Sequence, residues 1–126
     1  MLFLDIVDGV IAIREGNLAI GILKMFEEEH IVLEGAGAIG PAALLSGNIE
    51  GLSGKRVVCI LSGGNIDSSL MGRTIEKGLA IDDRLIQVIV TVPDMVGGFA
   101  ELFEIFAENG SSIVEFLTVS PTAHSQ

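Results

Sequence analysis

The chain has 126 residues, 49% of them hydrophobic with a mean hydropathy of +0.62, which is ample material for a core and argues against a disordered polypeptide. A formal net charge of −10 opposes phosphate backbones, and with no Lys/Arg stripe, no Trp and no Tyr the sequence offers nothing to nucleic acid. No apolar run reaches the roughly 18 residues of a membrane span, and Met1-Leu2-Phe3-Leu4-Asp5 has neither a basic leader nor a cleavage signature, so the chain reads as cytoplasmic with no membrane partner.

Val10-Ile11-Ala12-Ile13 reads as a short strand after Asp8-Gly9. From Glu15 to His30 the apolar pairs Leu18/Ala19, Ile22/Leu23 and Met25/Phe26 recur at helical spacing. Glu27-Glu28-Glu29 ends that helix against its dipole, so the triplet reads as a solvated face rather than a metal or catalytic cluster, with slight compensation from His30. Ile31-Val32-Leu33 reads as a short buried strand running into Glu34-Gly35-Ala36-Gly37-Ala38-Ile39-Gly40-Pro41, with Pro41 in the first turn of a helix that continues to Ser46-Gly47. Asn48 to Gly54 is a loop, and Lys55 to Leu61 is a second buried strand containing the single cysteine, Cys59, in a packing role. Ile66 to Gly78 is a helix capped by Asn65 or Asp67. Strand, helix, strand, helix predicts a parallel α/β arrangement.

Ala80 to Asp83 reads as a linker, because a new alternating run begins at Arg84 and continues to Val92. Pro93-Asp94 and Gly97-Gly98 break the chain before an amphipathic helix with Phe99, Leu102, Phe103 and Phe106 on one face and Glu101, Glu104 and Glu108 on the other; that aromatic stripe reads as core. Asn109-Gly110 stops the helix, and Ser112 to Val119 returns as a strand, giving one βαβ unit before a polar tail at 120–126.

Gly35, Gly37 and Gly40 spell G-x-G-x-x-G between a strand and a helix, the context of a dinucleotide fingerprint. That fingerprint needs an acid about 20 residues on to hold the ribose, where this chain has Leu61-Ser62-Gly63, and Glu34 stands where a pyrophosphate would approach. A nucleotide site therefore trails. Ser62-Gly63-Gly64-Asn65, delivered at the end of Val57 to Leu61, puts a hydroxyl and free backbone N–H groups at a strand's carboxyl end, where open α/β sheets bind ligands. Glu34 taken alone is either a structural acid bonded to neighbouring backbone or a functional carboxylate. A right-handed crossover brings it to the same sheet edge as Ser62, and together they point to a site.

IVLEGAGAIGPAALL from Ile31 to Leu45, with VVCILSGGNID from Val57 to Asp67, resembles the C-terminal part of the catalytic domain of pyridoxal-phosphate-dependent threonine dehydratases and their serine racemase relatives. The resemblance implies that residues 1–80 are a fragment of a parallel three-layer α/β domain. It implies pyridoxal 5'-phosphate as cofactor, Ser62 hydrogen-bonded to its ring nitrogen, Gly63, Gly64 and Asn65 shaping the pocket wall, and Glu34 as an active-site acid. A neutral hydroxyl does not hold that nitrogen protonated, so the ring is a weaker electron sink and β-elimination is favoured. The intact enzyme would convert threonine or serine to 2-oxobutanoate or pyruvate and ammonia.

Residues 84–119 resemble the βαβ first half of a ferredoxin-like ACT domain, an amino-acid-sensing module that often follows this catalytic domain. Pro93-Asp94-Met95-Val96-Gly97 resembles its P-D-x-P-G turn with Val96 replacing a proline, which makes Asp94 and Gly97 the effector-binding candidates. The family's cofactor-binding lysine and phosphate loop have no match here, since Lys24, Lys55 and Lys77 stand in unrelated contexts. The expectation is thus one wall of a site, inactive alone. An ACT fold orders its strands 4-1-3-2, so the strands at 84–92 and 112–119 would flank an empty slot, and a homo-oligomer or a complementing chain is expected to fill it. The competing reading is a non-catalytic, self-associating amino-acid-binding module in which the Ser62 loop is a relic.

Overall fold

Among the described residues four helices carry the regular structure: α1 (Glu15–Glu28), α2 (Ile39–Leu45), α3 (Ser68–Ile81) and α4 (Gly98–Glu108). The computed structural model describes residues 6–119. The chain divides into two units, Met1–Gln87 and Val88–Gln126.

In the first unit α1 is the central element and packs on both α2 and α3. Its helical stripe buries Ala19, Ile22 and Leu23. Two glycines allow the close crossings. A Cβ added at Gly21 would lie 3.0 Å from the Ala42 Cβ of α2, and one at Gly78 of α3 would lie 2.9 Å from the Ala19 carbonyl oxygen. Helices approach most closely where the crossing residues are smallest, and that contact offsets the roughly 0.5–1 kcal/mol a helical glycine costs relative to alanine. Ile22, Leu33 and Ala38 form the buried cluster, with Met25 and Met71 packed against it.

The helix ends follow local chemistry. Of the two candidate caps for α3, Asp67 takes the role: its Oδ1 accepts from the Leu70 N–H at 2.8 Å and the Ser69 hydroxyl at 2.7 Å. The helix starts at Ser68 rather than Ile66, and it runs through Ala80 and Ile81, which the sequence assigns to a linker. No breaker precedes Asp82; the helix stops where Asp83 turns left-handed (φ 56°) and the Arg84 N–H closes back on the Leu79 carbonyl at 2.9 Å. His30 (φ 57°) ends α1 in the same way, with the Ile31 N–H on the Met25 carbonyl at 3.0 Å.

The segments read as strands at 10–13, 31–33 and 55–61 are non-helical, and among the described residues no strand ladder joins them. The expectation of two buried strands is corrected: Leu33 is buried, but Ile31 and Val32 are exposed, and Val58 and Ile60 are 92% and 83% exposed. A β-branched run of this kind is buried only when other chain covers both faces, and α1 to α3 cover Leu33 alone and half-bury Cys59.

In the second unit α4 packs through Phe99 and Phe103 on Phe116, in edge-to-face pairs with ring centroids 5.7 and 5.2 Å apart. Its N-terminal turn meets Val92, since a Cβ on Gly98 would lie 2.9 Å from the Val92 Cγ1. Asn109 and Gly110 (φ 67°) end it, with the Ser111 N–H on the Phe106 carbonyl at 2.9 Å. No described residue of this unit is buried, so the aromatic stripe read as core is here half-exposed. Among the described residues no helix is long and apolar enough to cross a membrane.

Candidate functional site

Leu33, held in the buried cluster, fixes the residue that follows it. Glu34 is half-buried; its N–H donates to the Gly63 carbonyl at 3.3 Å, and its own carbonyl accepts from the Ala38 N–H at 3.0 Å. The Glu34 side chain lies over Gly63, where an added Cβ would stand 2.5 Å from Oε1 and 3.1 Å from the carboxyl carbon. Gly63 also has φ 90°, a backbone state that L side chains rarely adopt. The acid at 34 and the turn at 62–65 thus form one constellation.

Other glycines hold the two turns together. A Cβ at Gly37 would lie 2.5 Å from both the Ser62 and Gly63 carbonyl oxygens, and one at Gly64 would lie 2.8 Å from the Val32 carbonyl oxygen. A Cβ at Gly40 would collide with the Cys59 Sγ, whereas Gly35 has nothing within 4 Å. Gly37 is therefore required by turn-on-turn packing and Gly40 by the packing of α2 on Cys59, reasons for the spacing that need no dinucleotide. The second also places Cys59 in a packing contact.

Ser62 and Asn65 are exposed, and among the described residues neither side chain makes a hydrogen bond within the protein. The Ser62 hydroxyl is available to a ligand. Two residues past Asn65, the Leu70 N–H and then the Ser69 hydroxyl hold the Asp67 carboxyl below its usual range. Beside the turns, between α1 and α3, lies an open cleft of about 180 Å³ whose lining includes Gly35, Ile66, Ile22 and Leu70.

The lysines belong to ion pairs or turns. Lys77 pairs with Glu15 at 2.9 Å, Lys24 reaches Glu28 and Asp82 at 3.6 Å each, and the Lys55 N–H closes a turn on the Leu52 carbonyl at 2.9 Å. Sequence reasoning missed a two-armed ion pair in this unit. Arg84 grips Glu27 with both arms of its guanidinium at 2.7 and 2.8 Å, holding the Glu27 carboxyl below its ordinary range and raising its own pKa. These residues are 57 apart, and neither the acidic triplet nor the strand pattern at Arg84 signals the pairing.

Asp94 and Gly97 lie in the second unit. The turn from Pro93 closes through the Met95 N–H on the Pro93 carbonyl at 2.9 Å, and Gly97 takes φ 91° as the N-cap of α4. Asp94 is exposed.

The sequence is 38% identical over 109 residues to the L-threonine ammonia-lyase of Geobacter sulfurreducens, covering 86% of this chain and 27% of that protein. It is 40% identical over 108 residues to the L-threonine ammonia-lyase of Thermotoga maritima, covering 86% of this chain and 26% of that protein. To the biosynthetic L-threonine dehydratase of Bacillus subtilis it is 33% identical over 99 residues, 79% of this chain and 23% of that protein. The chain thus spans about a quarter of the length of the curated relatives it matches. No family model matches the chain, and no solved structure matches it.

Proposed function

The chain belongs to the threonine ammonia-lyase, or threonine dehydratase, family, and on that footing we propose that its first unit is one wall of a pyridoxal 5'-phosphate site in a parallel α/β domain. The observation that carries this reading is the Glu34 carboxylate lying over Gly63, the residue that follows Ser62, whose exposed hydroxyl has no hydrogen-bond partner among the described residues. The residues fit the ring end of the cofactor: a free hydroxyl suits a pyridine nitrogen, and a side chain at 63 would displace the acid. They do not supply its covalent or phosphate ends, because Lys24 and Lys77 are paired with carboxylates on helices and Lys55 sits on an exposed turn. Those ends fall to polypeptide beyond these residues.

Bound, the cofactor supplies the electron sink for loss of the α-proton and the β-hydroxyl of an amino acid such as threonine. Ser62 Oγ would donate a hydrogen bond to the ring nitrogen and keep its own proton, leaving that nitrogen uncharged. Glu34, fixed through the Gly63 carbonyl and half shielded from water, presents a carboxylate that accepts a hydrogen bond or a proton at the same edge. Gly63, Gly64 and Asn65 keep the wall shallow enough for a flat ring to approach. The intact assembly, cytoplasmic, would release ammonia and 2-oxobutanoate from threonine, and the second unit would take an amino-acid effector at Asp94 and Gly97 in the manner of an ACT domain.

Pyridoxine 5'-phosphate, which has no aldehyde to label lysines indiscriminately, tests the wall in the full chain. The expected result is amide chemical-shift change confined to 34–38 and 62–65 and abolished by Ser62→Ala, with no ammonia released from L-threonine. Shifts indifferent to Ser62→Ala, or robust ammonia release by this chain with pyridoxal 5'-phosphate, would overturn the assignment.

A further inference from the structure

Beyond α3 the chain does not leave the first unit freely. The Arg84 and Leu85 N–H groups both close back on the Leu79 carbonyl, at 2.9 and 3.2 Å. That closure needs Asp83 in the left-handed region (φ 56°), a state a residue with a side chain keeps only when its surroundings impose it. Backbone contributes little to imposing it: one acceptor serves both N–H groups, Leu85 is only half-buried, and among the described residues Ile86 and Gln87 make no backbone hydrogen bond before the unit ends. Two side-chain ties cross from this segment to α1. Lys24 stands 3.6 Å from Asp82, beyond hydrogen-bond distance. Arg84 is different, since two of its nitrogens meet both Glu27 oxygens at 2.7 and 2.8 Å, a planar fork that fixes orientation as well as distance. Glu27 lies in the last turn of α1, a helix anchored in its turn by buried Ala19, Ile22 and Leu23.

We propose that the Arg84–Glu27 fork is a strap that fastens residues 82–87 to α1 and so sets where the chain leaves the first unit. Closed, it supports the left-handed turn at Asp83 and keeps the Arg84 and Leu85 N–H groups on the Leu79 carbonyl. Open, the segment becomes a tether with a reach of up to roughly 20 Å, at about 3.3–3.6 Å per residue. The strap opens readily. Its side chains are 46% exposed for Arg84 and 33% for Glu27, so solvent screens the pair and the closed state is a matter of population rather than a lock. Because the fork lies wholly within the first unit, the strap acts whatever the second unit carries.

Solvent exchange of the Arg84 and Leu85 amides in the full chain, read by NMR as protection relative to an unfolded peptide of the same sequence, tests the strap. Glu27→Gln leaves the sequence of the segment itself intact and is expected to lower both protections about threefold. Arg84→Gln should do the same, and the two changes together should cost no more than either alone. Lys77→Gln is the control. It breaks another ion pair between the same two helices, 2.9 Å from Lys77 of α3 to Glu15 at the start of α1, and should leave both amides as they are. Parent amides that exchange as in the unfolded peptide, a Glu27→Gln chain as protected as the parent, additive losses in the double variant, or an equal loss in Lys77→Gln would each overturn the proposal.

Discussion

Alanine at Gly37 probes the nesting of the two turns. Its Cβ would stand 2.5 Å from two backbone oxygens, those of Ser62 and Gly63, and neither can swing away as a side-chain tip would. An ordinary carbon–oxygen contact is about 3.3 Å, so the turns must separate by roughly 0.8 Å. The bond from the Glu34 N–H to the Gly63 carbonyl, already 3.3 Å, is lost in that movement. Overpacking of about 1–3 kcal/mol plus a lost hydrogen bond of about 1 kcal/mol exceeds the roughly 0.4–1 kcal/mol gained from a stiffer unfolded chain, leaving a net loss of about 2–3 kcal/mol. Gly35→Ala is the matched control, two residues away with open space around it, and it is expected to be neutral or stabilising by up to about 1 kcal/mol. Urea unfolding followed by circular dichroism reads the difference as a midpoint lower by about 2 M, at a slope of roughly 1 kcal/mol per M. Equal midpoints for the two variants would refute the turn-on-turn packing and reopen the glycines to a ligand-binding explanation.

Three further outcomes follow from the geometry. Asp67→Ala should lower the urea midpoint and Asp67→Asn should restore most of it. Because the folded pKa of Asp67 is depressed, its contribution is complete above the ordinary aspartate value, and disappears as pH falls through the lower folded one; absence of that acid-side loss in the Asp67→Asn variant confirms the cap. Glu27 behaves likewise: its contribution is present above the ordinary glutamate pKa and lost as pH falls through the depressed folded value. An NMR titration of Glu27 should move toward that ordinary value in Arg84→Gln, and an unchanged titration would show the fork to be unimportant in solution. Asp83→Gly relieves a left-handed residue at the end of α3 and should stabilise by about 0.5 kcal/mol, a rise of roughly 2–4 °C in thermal midpoint; a fall would mean that the Asp83 side chain contributes more than its strain costs.

Helices were legible because their signals are local. The stripe from Leu18 to Phe26, the Pro41 start and the Asn109-Gly110 stop depend on neighbours within two turns, and α1, α2 and α4 follow them. Asn65 and Asp67 are equally good caps on paper; only the path of the chain decides between them. The apolar runs at 31–33 and 57–61 identify side chains that call for burial without saying what buries them, and Val58 and Ile60 stand exposed for want of cover. Gly35 and Gly37 are indistinguishable in a motif, yet one borders a cleft and the other two carbonyl oxygens. The sequence reading put Glu34 and the Ser62 turn together through a sheet crossover, whereas what holds them in the structure is the Glu34 side chain over Gly63 and the backbone bond to its carbonyl, with no strand ladder among the described residues; the Arg84–Glu27 fork, spanning 57 residues, had no sequence signal.

The central claim is that Ser62, in its turn against Glu34, meets the ring nitrogen of a cofactor held by other parts of a threonine ammonia-lyase. Residues 6–80 grafted in place of the matching segment of the Thermotoga maritima L-threonine ammonia-lyase, with and without the Ser62→Ala change, test it through ammonia release from L-threonine. The account predicts an active graft whose kcat/KM falls about tenfold or more on Ser62→Ala, the cost of losing a hydrogen bond to the reacting system. A folded, cofactor-loaded graft that works equally well with either side chain would contradict it.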